Sequence, residues 1–444
     1  MPHPYRTTPP ITDRMPPGLF HLVVNEGAER FSFYGMRAIL VVFMTDMLMN
    51  RDGSLGVMSE AEARASFHLF AAAVYFFPFL GAVIADAWWG KFKTIVLLSI
   101  VYCFGHLALA VDHTRVGLVI GLGLIAIGSG GIKPCVSANL GDQFGPGNRT
   151  LLSKAFSWFY FAINLGAFAS TLLTPWLLQH YGPHWAFGVP GLLMLLATLV
   201  FWQGRKQYTH IPPDPQGFYE AFKRPGVWRT IVKLGGLYVF VAFFWSLYDQ
   251  TSSAWVLQAK QMDRVWLGIE WLPSQIQAVN PILIMLFIPL FAYGVYPALN
   301  QVFPLTPLRK VSLGFFVTVA AFLIPAGIEE HIALGHHPNI GWQLLAYVVM
   351  TAAEVMVSIT CLEFSYTQAP TQLKSLVMAL FLLSVSLGNA FTSLVNRLIE
   401  KNDGSLLLPG PTYYWFFAGV MFLVSVAFIF AARWYQEETH LQGE

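Results

Sequence analysis

Two glutamates and two arginines stand close together in Asn25-Glu26-Gly27-Ala28-Glu29-Arg30-Phe31-Ser32-Phe33-Tyr34-Gly35-Met36-Arg37, inside an apolar segment running from about Leu19 to Met49. At about 100° per residue, Glu26, Arg30 and Arg37 fall within roughly 40° of one another on a helix. Tyr34 lies about 40° beyond Arg30, and Glu29 about 60° to the other side of Glu26. The charges therefore share one face. A segment of this length crosses a bilayer, which needs about 20 residues. Charge facing lipid is expensive, so this face must meet a protein interior or a watery cavity, and such a cluster is a functional site by default. A carboxylate there can carry a proton. A guanidinium there suits a planar carboxylate through two parallel hydrogen bonds.

Other ionisable residues lie at similar depth. Lys133, in Gly130-Gly131-Ile132-Lys133-Pro134, needs a counter-ion, for which Glu26, Glu29 and Glu354 are the candidates. The plainer reading is a lysine snorkelling to the headgroups, which its mid-segment position opposes. Protonation of Asp249 would neutralise it and release any cation bridged to it. His68 is a second proton carrier to consider, since imidazole titrates near neutral pH, although a histidine beside Phe67 also reads as a hydrogen-bonded core residue. Glu26 and Glu29 complete the set, and the sequence does not rank the four. Asn164 and Asn280 read as ligand-bonding groups or as interhelical glue.

The elements that position these residues follow from composition. The chain has 444 residues, of which 55% are hydrophobic and only 11% charged, with a mean hydropathy of +0.55. A soluble domain carries about 25% charged residues, so this is an all-α polytopic membrane protein. A net charge of +2 gives no footing for nucleic acid. Cys103, Cys135 and Cys361 fall in apolar runs and imply no disulfide framework. The polar, proline-rich stretch Met1–Pro17 has no signal-peptide pattern, so the first spanning helix is expected to act as the insertion signal.

Twelve apolar segments of spanning length are expected at about 19–48, 67–87, 94–111, 116–140, 153–177, 184–202, 230–258, 272–298, 311–328, 341–365, 375–397 and 412–434. The longest polar stretch divides them six and six. The organisation expected is a cytoplasmic tail (1–18), an N-terminal bundle (19–202), a cytoplasmic linker (203–229), a C-terminal bundle (230–434) and a cytoplasmic tail (435–444). With both termini inside, the cytoplasmic side receives sixteen basic residues and the opposite side seven, as the positive-inside rule asks. Two linked halves of this kind are a transporter plan.

Specific motifs resemble a known family. Gly81-Ala82-Val83-Ile84-Ala85-Asp86-Ala87-Trp88-Trp89-Gly90-Lys91 resembles the loop between helices two and three of the major facilitator superfamily. Glu26-x-x-Glu29-Arg30 looks like the helix-one signature of its proton-coupled oligopeptide transporters. Phe159-Tyr160-Phe161-Ala162-Ile163-Asn164-Leu165-Gly166 resembles their helix five and Phe244-Trp245-Ser246-Leu247-Tyr248-Asp249-Gln250 their helix seven. Glu363-Phe364-Ser365-Tyr366-Thr367-Gln368-Ala369-Pro370 is similar to their helix ten.

The resemblance implies two six-helix bundles of the major facilitator fold and proton-driven import of di- and tripeptides, with peptide-like drugs as further substrates. It implies no cofactor beyond the proton as coupling ion, no metal and no enzymatic activity. It implies a multi-pass protein of the plasma membrane, or of the inner membrane in a prokaryote, whose partners are substrate, proton and lipid bilayer. By resemblance Arg30 and Lys133 hold the peptide carboxylate, while Glu354, with Asn164 and Asn280, holds its ammonium group. Ser358, one turn from Glu354, is a weaker candidate. Tyr34, Tyr75, Tyr160, Trp245 and Trp255 resemble or flank pocket positions. Arg37 pairs with Asp249 as an outer gate, Lys133 pairs with Glu354 as an inner one, and Glu363 is structural or gating. Many members carry a tryptophan early in helix eleven where this chain has Phe381, which would reshape a side-chain pocket. A relative moving nitrate or another anion is the alternative within transport, but an anion needs no ammonium site. An integral membrane hydrolase would need a pattern such as H-E-x-x-H or G-x-S-x-G, and neither is present.

Overall fold

The computed structural model describes residues 5–216, 220, 223, 227–368, 374–401 and 404–435. Part of the expected linker, the Ala369-Pro370 end of the helix-ten motif and the tail beyond residue 435 lie outside the described residues.

Among the described residues, ten helices are long and apolar enough to cross a membrane. One of these holds two spans, because the helical run Leu152–Gln203 breaks at Gly182, whose φ of 78° suits glycine. The helix Leu19–Asp46 also has spanning length, but its cluster of charges sets it apart from the apolar ten. The total is the expected twelve. They are α1 (Leu19–Asp46), α2 (Glu60–Ile84, continued by a π-helical turn Ala85–Trp89), α3 (Lys91–Val111), α4 (Arg115–Gly141), α5 (152–181) and α6 (183–203). Then come α7 (Val227–Tyr248), α8 (Val279–Leu290, the π-helical turn Phe291–Val295 and Tyr296–Val302) and α9 (Pro307–Ala333). The last are α10 (Gly341–Glu354, the π-helical turn Val355–Ile359 and Thr360–Gln368), α11 (Lys374–Ile399) and α12 (Pro411–Trp434).

The chain forms two compact units. The first comprises Met1–Val57 and Ala73–Arg224. Here α1 packs along α5 and α6, and α3 along α4. Backbones meet closely where side chains vanish: a methyl on Gly81 would overlap the Gly131 carbonyl, and one on Gly166 the Gly27 carbonyl. The Ser32 hydroxyl donates to the Pro190 carbonyl at 2.6 Å, and Thr174 donates to the Gly35 carbonyl at 2.8 Å, fixing α1 against its neighbours. At the start of α3, Lys91 pairs with Asp142 at 2.6 Å.

The second unit comprises Pro225–Glu444 together with Met58–Ala72. Helix α2 starts at Glu60, earlier than hydropathy alone indicates, because the Ser59 hydroxyl accepts the Glu62 amide while Glu60, Glu62 and Arg64 mask the apolar signal. This first half of α2 lies along α11 through a ladder of polar contacts. Arg64 Nε donates to Asn396 Oδ1 at 2.8 Å, Ser393 to the Ala65 carbonyl at 2.7 Å, and Ser386 to the Ala72 carbonyl at 2.7 Å. His68 and Asn389 make the rung between them. Beyond α7 a hairpin pairs β1 (Val265–Trp266) with β2 (Ile269–Glu270) through Leu267 and Gly268, both at positive φ.

Candidate functional site

In the first unit, Arg30 Nε lies 2.9 Å from Glu26 Oε1 and 2.5 Å from Glu29 Oε2, and the Ser129 hydroxyl donates to Glu29 Oε1 at 3.1 Å. All three charged groups are buried, and the charged face of the helix takes the form of one guanidinium between two carboxylates. Fully ionised, the trio carries one negative charge, and adding one proton makes it neutral. Arg37 lies two turns further along α1 and is also buried. Lys133 Nζ sits 4.1 Å from the centre of the Phe33 ring and 4.3 Å from that of Tyr75. Two ring faces thus stabilise the ammonium by their quadrupoles. Tyr34 is half-buried, with its ring edge-on to Phe33. Asn164 is buried, and its amide donates to the Tyr160 carbonyl one turn back at 2.9 Å.

The second unit holds a buried polar chain. Helix α7 gives way at Asp249–Ser252 to a 3₁₀ turn, as expected for a run of short polar side chains that compete for the backbone. Asn389 Nδ2 donates to Asp249 Oδ2 at 2.5 Å and to the Val385 carbonyl at 3.0 Å. Its Oδ1 faces His68 Nδ1 at 2.7 Å, and His68 Nε2 lies 2.8 Å from the Ser253 hydroxyl. Both neighbours of Nδ2 are pure acceptors, so the orientation of the Asn389 amide is determined. His68 must then carry a proton on Nδ1 and donate it to Asn389. Ser253 donates to Nε2 while the ring is neutral and must turn to accept once it is charged. His68 is 0% and Asp249 1% exposed, so a change of charge at either would take place in a dry environment.

Glu354 ends the first part of α10, directly before a π-helical turn, a feature that often marks functional positions. Asn280 Nδ2 donates to Glu354 Oε2 at 2.8 Å and to Thr351 Oγ1 at 3.1 Å, while the Tyr248 hydroxyl donates to Asn280 Oδ1 at 3.4 Å. Glu354 is therefore held with at least one oriented donor. Ser358 lies within the π-helical turn and is half-buried. Trp245 packs against Tyr248 at 5.4 Å and against the buried Phe381 at 6.3 Å. Its indole N–H has no hydrogen-bond acceptor among the described residues. Trp255 is fully buried against Phe322 and Tyr347, which makes it core. Glu363 is exposed near the end of α10.

The sequence pattern of the POT family matches residues 92–229 and 226–416 of the chain. The chain belongs to the POT family. A relative from Drosophila melanogaster, Peptide transporter family 1, is 39% identical over 368 residues, covering 72% of this chain and 48% of the relative. Human Solute carrier family 15 member 1 is 37% identical over 378 residues, covering 71% of this chain and 52% of the relative. This chain thus spans about half the length of these relatives. A solved POT family transporter, PepTSo, superposes with a TM-score of 0.88 at 35% identity, covering 96% of this chain and 100% of that one. The POT family likeness and the twelve spans together give the chain the major facilitator fold of a multi-pass membrane protein.

Among POT family signatures, the structure brings together Glu26, Glu29 and Arg30, then Lys133 with Tyr75, and Asn280 with Glu354. It also joins His68 to Asp249 through a residue that sequence reasoning missed. Asn389 lies in Ser384-Val385-Ser386-Leu387-Gly388-Asn389, where a small polar residue reads as helix packing. Its side chain spacing from Ser386, Ser393 and Asn396 on one face of α11 was the available signal. Ser129 and Phe33 were also missed, since neither has a residue type that announces a site.

Proposed function

We propose that this chain is a proton-coupled symporter that imports di- and tripeptides by alternating access. The observation that carries the reading is the sorting of charge between the two units. The first holds Arg37 and Lys133, with Arg30 between Glu26 and Glu29, and the second holds Asp249 and Glu354, the latter positioned by Asn280 at 2.8 Å. A short peptide is a zwitterion, so cations in one half and a carboxylate in the other measure its ends without reading its side chains. The peptide transporter names of the relatives support the same substrate class. Peptide-like drugs with the same two ends fit the same requirement.

In this reading Arg30 and Lys133 take the carboxylate of the peptide, Glu354 with Asn280 and Asn164 takes its ammonium, and Tyr34, Tyr75 and Trp245 form walls, with Ser358 beside them. Arg37 and Asp249 are assigned to the outer gate, Lys133 and Glu354 to the inner one. A proton reaching the His68–Asn389–Asp249 chain neutralises Asp249 or charges His68. Either change weakens the hold of Asp249 on a cation. A second proton-accepting group is the Glu26–Glu29–Arg30 trio, which a single proton brings to neutrality. An inward proton at 100 mV supplies about 2.3 kcal/mol. We place the protein in the plasma membrane, or the inner membrane of a prokaryote, with both termini cytoplasmic and no cofactor other than the coupling proton.

The test is uptake of labelled dialanine by purified protein in liposomes under an imposed inward proton gradient, with labelled nitrate in parallel. Accumulation of dialanine that a protonophore abolishes is the expected result. Nitrate uptake without dialanine uptake from folded protein would overturn the reading.

A further inference from the structure

The second unit contains a cavity of about 630 Å³ among α8, α9 and α10 that the peptide site does not use. None of Asp249, Asn280, Trp245 or Glu354 lines it. Its lining combines apolar side chains, Ile288 and Ala292 of α8 and Val355 and Ile359 of α10, with the polar Tyr296, Asn300 and Thr360. Its rim carries two opposite charges, Lys310 and Glu363. The Lys310 ammonium rests 4.4 Å above the Tyr296 ring, and the Tyr296 hydroxyl neighbours Thr360 and Glu363. Neither Lys310 nor Glu363 has an ion-pair partner among the described residues. The surrounding helices present apolar side chains outward: Leu286, Leu290, Ile359 and Leu362 are all exposed. On a membrane-spanning unit such a surface is bathed in lipid.

We propose that this cavity is a binding site for phosphatidylethanolamine. The phosphate sits against Lys310, the primary ammonium hydrogen-bonds to Glu363, and an acyl chain lies over Ile288, Ala292, Val355 and Ile359. The headgroup matches the rim in both signs, so two charges otherwise left unpaired at the membrane boundary are satisfied together. Phosphatidylcholine offers the same phosphate but no N–H donor, and phosphatidylglycerol offers no cation. The apolar part of the lining, Ile288, Ala292, Val355 and Ile359, favours a lipid over a water-soluble zwitterion, which would leave it unfilled.

Native mass spectrometry of the full chain with chain-matched phosphatidylethanolamine, phosphatidylcholine and phosphatidylglycerol tests this. Wild type should retain phosphatidylethanolamine roughly fivefold more strongly than either other lipid. Glu363→Gln should erase that preference, and Lys310→Met should weaken all three lipids. Ala292→Phe fills the cavity with both charges kept, and should also erase the preference, which decides the matter if a charge variant fails to fold. Equal retention of the three lipids by wild type would overturn the site. So would a preference that survives both Glu363→Gln and Ala292→Phe, or displacement of the lipid by dialanine.

Discussion

Asn389 donates a 2.5 Å hydrogen bond to Asp249, and because its Nδ2 also serves the Val385 carbonyl, its oxygen is committed to His68. One neutral side chain therefore couples two ionisable ones, and it transmits the state of each to the other through a fixed dipole. A proton on Asp249 converts that carboxylate oxygen from a strong to a weak acceptor. The Asn389 amide then polarises less, and its oxygen holds the His68 Nδ1 proton less firmly.

Asn389→Leu removes the donor to Asp249 and the acceptor for His68 at once. Leaving a buried polar group unsatisfied costs about 1–3 kcal/mol, so thermal stability in detergent should fall. The decisive readout is the pH profile of proton-driven dialanine uptake, which should move. Thr392→Val, one turn along α11 and bonded to Ser246 at 2.6 Å, provides the comparison. It should lose similar stability with its profile in place. Identical profiles for the two variants would remove Asn389 from the proton route.

The Glu354–Asn280 bond makes a separate prediction. Glu354→Gln removes the charge that an ammonium group needs, so uptake of free-amine dipeptides should fall at least about tenfold, as expected for loss of a charge-assisted hydrogen bond. Competition by N-blocked peptides should change little. Asn280→Ala frees one carboxylate oxygen without removing charge and should raise KM for free-amine peptides by a smaller factor. Equal losses for free and blocked peptides in Glu354→Gln would count against an ammonium site there.

Twelve spans were legible in the sequence because hydropathy over about 20 residues is a collective signal that no single residue can spoil. Charged residues at depth were legible for the opposite reason: each is costly and so must have a use. Glu26, Glu29, Arg30 and Glu354 stand out on that ground alone. Asn389, Ser129 and Phe33 do not, because polar neutral and aromatic residues are common in membrane helices and their role depends on what they meet. The early start of α2 was hidden because Glu60, Glu62 and Arg64 lower the hydropathy of a helix that Ser59 caps.

Outside the membrane, Asp263 anchors the β1–β2 hairpin to the segment before α10. Its Oδ1 accepts the Val265 amide at 3.1 Å and its Oδ2 accepts Asn339 Nδ2 at 2.9 Å. The Val265 backbone bond, helped by Asn339, holds the Asp263 carboxyl below its usual value. A depressed carboxylate stabilises the folded arrangement above its unfolded pKa, and the contribution fades as pH falls through the folded one. The protection factors of the Val265 and Trp271 amides, with intrinsic exchange divided out, should therefore fall on acidification below about pH 4, the usual aspartate range. Asp263→Asn should exchange faster at neutral pH and lose that acid dependence. A wild-type hairpin whose protection factors stay flat through the acid range would show that the anchor lies elsewhere.

Lys133 offers the last test, because its aromatic cradle separates charge from packing. Phe33 and Tyr75 face the ammonium at 4.1 and 4.3 Å. A ring over a cation contributes roughly 0.5–2 kcal/mol, an effect that needs a π face and not merely volume. Phe33→Leu keeps an apolar side chain but removes one face, so it should raise KM for dialanine by about three- to tenfold, within the range that a lost cation–π contact allows. Tyr75→Phe keeps the face and drops only the hydroxyl, so its KM should stay near the wild-type value. A hydroxyl role at Tyr75 would reverse that order, with Tyr75→Phe impaired and Phe33→Leu intact. Impairment of both variants together with lower thermal stability would mean that the rings serve only to pack α1 and α2 against α4.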